Sequence, residues 1–112
     1  MMTPDEFREL ALRLPETVEQ QHHGHPDFRV RGKVFATLGW PDAAWGMVKL
    51  PFEEQEMRVA TAPHVFEPVP GAWGRRGSTK VRLAAADRAA VERALHIAWR
   101  HAAPKRLAAP DG

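Results

Sequence analysis

Three histidines within four positions, His22-His23-Gly24-His25, form the densest cluster of metal-capable or proton-transferring side chains in the chain. Three imidazoles could bind zinc or nickel, with Asp27 or Glu19 completing the shell. Consecutive residues of a strand point to opposite faces. His22 and His23 can therefore share a ligand only where the backbone leaves strand geometry. The spacing matches no established zinc motif, and neither a metal nor another cofactor is expected.

Acid–base and nucleophilic chemistry is harder to assemble. The chain has no cysteine and no tyrosine. Thiolate catalysis, disulfides and cysteine-ligated clusters are thereby excluded. Serine occurs once, at Ser78, without a histidine and carboxylate placed to activate it. Glu53, Glu54 and Glu56 fall on a helix expected to be solvated, where carboxyls keep ordinary proton affinities. No catalytic residue is assigned, and the expectation is a non-enzymatic domain.

The segment Gly71-Ala72-Trp73-Gly74-Arg75-Arg76-Gly77-Ser78-Thr79-Lys80 is richer. Its glycines and basic residues resemble a phosphate loop superficially. The nucleotide-binding spacing and the strand-then-helix context are missing. As a hairpin-like wing, it could instead present Arg75, Arg76, Lys80 and Arg82 to a phosphate backbone. Trp73 would then stack or wedge; equally, its ring could be a core anchor, with the arginines merely exposed. Lys33 and Lys49 could extend the basic surface. A small-molecule pocket holding His25 and Trp73 is a further option, requiring both on one face. Trp40, Trp45 and Trp99 read first as packing anchors.

These residues must be positioned by short elements. Thr3-Pro4-Asp5-Glu6 is a capping box opening a helix that places Phe7, Leu10, Ala11 and Leu14 on one face and stops at Leu14-Pro15. Residues 17–22 suit an edge strand, Gly24-His25-Pro26-Asp27 a turn, and Phe28 to Leu38 a hairpin around Gly32-Lys33. Gly39 to Ala44 is the next turn, and Trp45 to Leu50 the next strand. A helix follows from Pro51 and ends before Pro63; His64 to Pro70 is extended. Ser78 to Leu83 alternates, with Thr79, Val81 and Leu83 on one face and Ser78, Lys80 and Arg82 on the other. Asp87 caps a last helix whose stripe is Val91, Ala94, Leu95, Ala98 and Ala102, with Trp99 at its edge. Residues from about 105 to 112 are expected to fray. The order predicts a single α+β domain over residues 1–112: a mostly antiparallel sheet with helices packed on one face.

Net charge is +2, unevenly spread. Residues 1–70 carry seven Lys/Arg and eleven Asp/Glu, whereas residues 71–112 carry nine and three, a net of −4 followed by +6. A basic C-terminal part attracts polyanions, unless it faces the acidic part within the fold. No signal peptide or membrane-spanning run is visible, and the cytoplasm is the expected compartment.

Several pieces recur in one order: Gly24-His25-Pro26-x-Phe28, Gly32-Lys33-Val34-Phe35-Ala36, Lys49-Leu50 before a short helix, and Phe66-x-Pro68 leading into Gly71–Gly77. Thr79, Leu83 and a final helix ending Trp99…Ala103-Pro104-Lys105 complete the set. In order and spacing the chain resembles the MmcQ/YjbR family over nearly its whole length. The resemblance implies a compact α+β fold likened to a double-wing DNA-binding domain and, more loosely, to frataxin-like folds. It carries no catalytic set. The positions matching its pattern that could touch a ligand are His25, Lys49, Trp73, Arg75 and Thr79. Ser78 departs from the pattern, since many relatives carry an aromatic residue there. Glu53, Glu54 and Glu56 are too short an acidic run for frataxin-like iron binding.

The leading expectation is therefore nucleic-acid binding, DNA included, by Lys33, Lys49, Trp73, Arg75, Arg76, Thr79, Lys80 and Arg82. The alternatives are a protein-interaction or regulatory adaptor, as a homodimer or with another protein, using an apolar patch around Phe52, Phe66 or Trp40, and a small-molecule module at His25 and Trp73.

Overall fold

The computed structural model describes residues 1–108. Six antiparallel strands form one sheet: β1 (Thr17–His22), β2 (His25–Val30), β3 (Lys33–Leu38), β4 (Trp45–Lys49), β5 (Phe66–Pro68) and β6 (Ser78–Arg82). Their spatial order is β1-β2-β3-β4-β6-β5. The first four strands follow one another as hairpins. The chain then leaves through α2 (Phe52–Thr61), returns as the short edge strand β5, and turns through α3 (Ala72–Arg75) into β6. β6 is thus a central strand, paired with β4 on one side and β5 on the other.

The remaining helices are α1 (Pro4–Leu12), α4 (Arg88–Ala102) and α5 (Lys105–Ala108), with a 3-10 turn at Leu83–Ala85. The expected capping box opens α1: Glu6 N–H donates to the Thr3 hydroxyl at 3.1 Å, and Thr3 N–H to the Glu6 carboxylate at 3.0 Å. Asp87 caps α4 through Ala90 N–H at 2.9 Å. α1 and α4 lie on one face of the sheet. Phe7, Leu10 and Ala11 meet Val91, Ala94, Leu95 and Ala98 above Phe28, Val30, Phe35, Val48 and Val81, all buried. A Cβ at Gly46 would stand 2.8 Å from the Phe7 ring, so the missing side chain on β4 makes room for that ring. Trp99 is buried, and its indole N–H donates to the Pro15 carbonyl at 2.9 Å, pinning the end of α4 over the α1–β1 turn. The α+β class and the face chosen by the helices are as the sequence predicts.

Four local expectations need correction. The first β-turn is His23-Gly24, not Gly24 to Asp27; His25, Pro26 and Asp27 already belong to β2. Positive φ at His23 (53°) and Gly24 (79°) gives the tight reversal whose twist suits a hairpin. The stretch from His64 to Pro70 is only partly extended, because Pro63 to Val65 turn before β5 begins. The glycine-punctuated loop contains the single helical turn α3, and residues 105–108 form α5 rather than a frayed end. The rest of the expected tail, residues 109–112, lies outside the described residues. Among the described residues, no helix is long and apolar enough to cross a membrane.

Candidate functional site

The helices cover one sheet face and leave the other open. Alternation decides what stands there: His25, Asp27 and Arg29 from β2, Met47 and Lys49 from β4, and Ser78 from β6. Val34 and Thr37 of β3 join them although they are three positions apart, because the β2–β3 register shifts between Phe28 and Arg29. These side chains floor a groove of about 570 Å³. Trp40, from the β3–β4 turn, and Trp73, on α3, line it as well, and both residues are exposed, at 40% and 59%. The volume falls in the range of small-ligand sites, about 300–1,000 Å³.

His25 and Trp73 therefore share one cavity. The β1–β2 turn brings His22 and His23 to the same groove, with ring centroids 4.1 Å apart, because His23 leaves strand geometry. Among the described residues, no group of three His, Asp or Glu side chains is arranged to hold a metal ion. Asp27, although fully buried, is engaged by Arg29 through two parallel bonds of 2.9 and 3.0 Å. That paired guanidinium holds its proton more tightly than usual, chiefly through its hydrogen bonds to Asp27. The pair neutralises itself, so the groove floor owes its positive charge mainly to Lys49, whose ammonium lies 5.9 Å from the Trp73 ring centre.

The basic strand is placed differently from expectation. Lys80 faces the open side of the sheet but is 9% exposed. Its ammonium meets Glu67 of β5 at 3.2 Å and lies 4.6 Å from the Trp45 ring centre. Arg82 packs on the same ring at 4.3 Å, with Glu67 3.9 Å away. Trp45 is thus a packing anchor under two cations, and Glu67 offsets part of their charge. Thr79 points into the core, fully buried; its hydroxyl donates to the Gly77 carbonyl at 2.9 Å and accepts from Gln55 at 3.1 Å. Thr79 and Lys80 therefore hold the sheet together instead of presenting themselves to solvent.

Gln55 is the residue sequence reasoning missed. Buried on α2, its amide donates to the carbonyls of Gly74 (2.9 Å) and Ser78 (3.2 Å) besides Thr79. α3, which carries Trp73, is tied down by these bonds. Two close approaches fix the same turn: a Cβ on Gly74 would stand 1.8 Å from the Val69 carbonyl oxygen, and one on Gly77 1.9 Å from that of Leu50. A polar residue amid the α2 stripe was the available signal, but its partners are 19 to 24 positions away.

Arg75 and Arg76 are exposed on and after α3, as expected. Arg76 joins Lys33, Lys49 and His101 around a second cavity of about 310 Å³ at the sheet's end; Arg75 lines neither cavity. Of the apolar patch candidates, Phe66 is buried under Arg58, whereas Phe52 is 58% exposed on α2 and Trp40 belongs to the groove.

An antiparallel sheet with helices on one face and a ring-lined groove on the other defines a domain of the α+β class. The chain belongs to the YjbR family, whose model matches residues 12–101. No curated protein and no solved structure is significantly similar to it.

Proposed function

We propose that this domain is a non-enzymatic binding module that takes single-stranded nucleic acid in the groove of its open sheet face. The observation that carries the reading is the pair Trp40 and Trp73: two large exposed aromatic residues lining one groove that Lys49 and the three histidines line as well. Unpaired bases stack on such rings whatever their sequence, and nearby cations track the backbone. Duplex recognition needs an element that enters a groove of the DNA. A concave, ring-lined surface suits splayed bases better. The residues assigned are Trp40, Trp73 and Lys49, with Lys33, Arg75 and Arg76 as the surrounding cations. Thr79 supports the sheet from the core side, while Lys80 and Arg82 are engaged by Trp45 and Glu67.

The test is fluorescence anisotropy of a labelled short mixed-sequence strand, alone and as a duplex, at two salt concentrations. Single-strand binding should exceed duplex binding and weaken with salt. Trp73→Ala should weaken it about tenfold, given 1–3 kcal/mol per stacked base. Equal affinity of Trp73→Ala, or no binding at low salt, overturns the reading.

A further inference from the structure

The cavity at the end of the sheet gathers charges that the rest of the fold avoids leaving together. Lys33 opens β3, Lys49 closes β4, Arg76 caps α3, and His101 stands in the last turn of α4. Elsewhere on the open face cations meet carboxylates: Arg29 is paired with Asp27, and Lys80 and Arg82 share Glu67. Lys33, Lys49 and Arg76 pair with no carboxylate among the described residues. Other unpaired cations, such as Arg13 and Arg93, line neither cavity. Like charges held around one cavity repel one another, and an anion placed among them removes that cost.

We propose that this rim cavity is a phosphomonoester site. Three full positive charges outweigh the partial negative charge of the α4 carboxyl end beside them. A phosphomonoester, near −2 at neutral pH, balances them better than a singly charged phosphodiester. Arg76 offers the planar fork that matches phosphate oxygens, the lysines act as point charges, and the imidazole of His101 supplies an N–H donor. Val34 and Lys49 line both cavities, so the rim opens beside the ring-lined groove. The phosphate would belong either to the end of a bound strand or to a free phosphorylated small molecule. The site does not require the nucleic-acid reading: a strand with hydroxyl ends can fill the groove and leave the rim empty, and phosphate can do the reverse.

The experiment is a titration of the isotope-labelled full chain with inorganic phosphate at constant ionic strength, followed through backbone amide signals. Saturable shifts are expected at Lys33, Arg76, Gly77, His101 and Ala102. Both Arg76→Gln and Lys33→Gln, at exposed positions, should weaken binding about tenfold, as losing a charge-assisted bond does. A second arm compares one short strand with hydroxyl ends, a 5′-phosphate or a 3′-phosphate. A phosphate-dependent gain of about tenfold that disappears in Arg76→Gln makes a strand end the source. Phosphate binding at the rim without that gain makes it a free phosphorylated compound. Absence of saturable rim shifts, or shifts indifferent to both substitutions, overturns the proposal. If the hydroxyl-ended strand still binds the groove, the function proposed above stands without it.

Discussion

The ammonium of Lys80 lies 4.6 Å from the centre of the Trp45 ring, held there by Glu67 on the adjacent strand at 3.2 Å. A lysine that looks like a phosphate contact in the sequence is a packing element. Lys80→Ala should lower stability by about 1–2 kcal/mol, the scale of a desolvated cation–ring contact. Strand affinity should change less than twofold. Urea denaturation and anisotropy on the same sample separate the two; a large affinity loss with full stability would restore Lys80 to the ligand surface.

Gln55 decides where Trp73 stands. Gln55→Leu removes the donor shared by Gly74, Ser78 and Thr79 and should cost about 1–3 kcal/mol, the penalty for buried polar groups losing a partner. Because α3 is then less firmly held, amide exchange at residues 72–77 should quicken more than in α4. Uniform acceleration across the domain would contradict a local role.

Two glycines with positive φ should respond differently to substitution. Gly77 has φ 106°, and a Cβ there would collide with the Leu50 carbonyl. Gly77→Ala should destabilise by about 3 kcal/mol, combining backbone strain with overpacking. Gly24, at φ 79°, has nothing within 4 Å of its would-be Cβ, so Gly24→Asn should cost under about 1 kcal/mol. Comparable thermal midpoints for the two variants would refute the close approach.

Two exposed carboxyls, Glu6 and Glu16, make folding sensitive to acid. Glu6 titrates below the usual carboxylate range chiefly because the Thr3 backbone N–H donates to it, and Glu16 chiefly because Arg31 does. The unfolded chain therefore binds protons more readily there. The stabilisation is complete above the ordinary glutamate range and is lost as pH falls through the lowered folded values. In the double variant Glu6→Gln, Glu16→Gln, the thermal midpoint should fall less steeply below roughly pH 5 than in the parent. Parallel acid limbs would show that neither pairing matters.

Much of the architecture was legible because it is written in local patterns. The capping residues Thr3 and Asp87, the alternation of β6 and the stripe of α4 each constrain a few neighbouring residues. Family membership was legible too, since ordered short motifs survive in one dimension. The site was legible only in part. Trp73, Lys49 and His25 stand out by residue type, but nothing in their spacing shows that β2, β4 and α3 bring them to one groove.

Local patterning suffices for most of the longer elements, the class, the absence of thiol chemistry and the side of β6 that carries its cations. Tertiary structure alone decided which of those cations are spent. Placing β5 beside β6 sets Glu67 against Lys80 and Arg82, while the meeting of β3, β4, α3 and α4 at one end leaves Lys33, Lys49 and Arg76 around a shared cavity. Charge along a chain is a local property. Whether it is neutralised depends on which distant residue the fold sets within a few ångströms, where Coulomb interactions are strong.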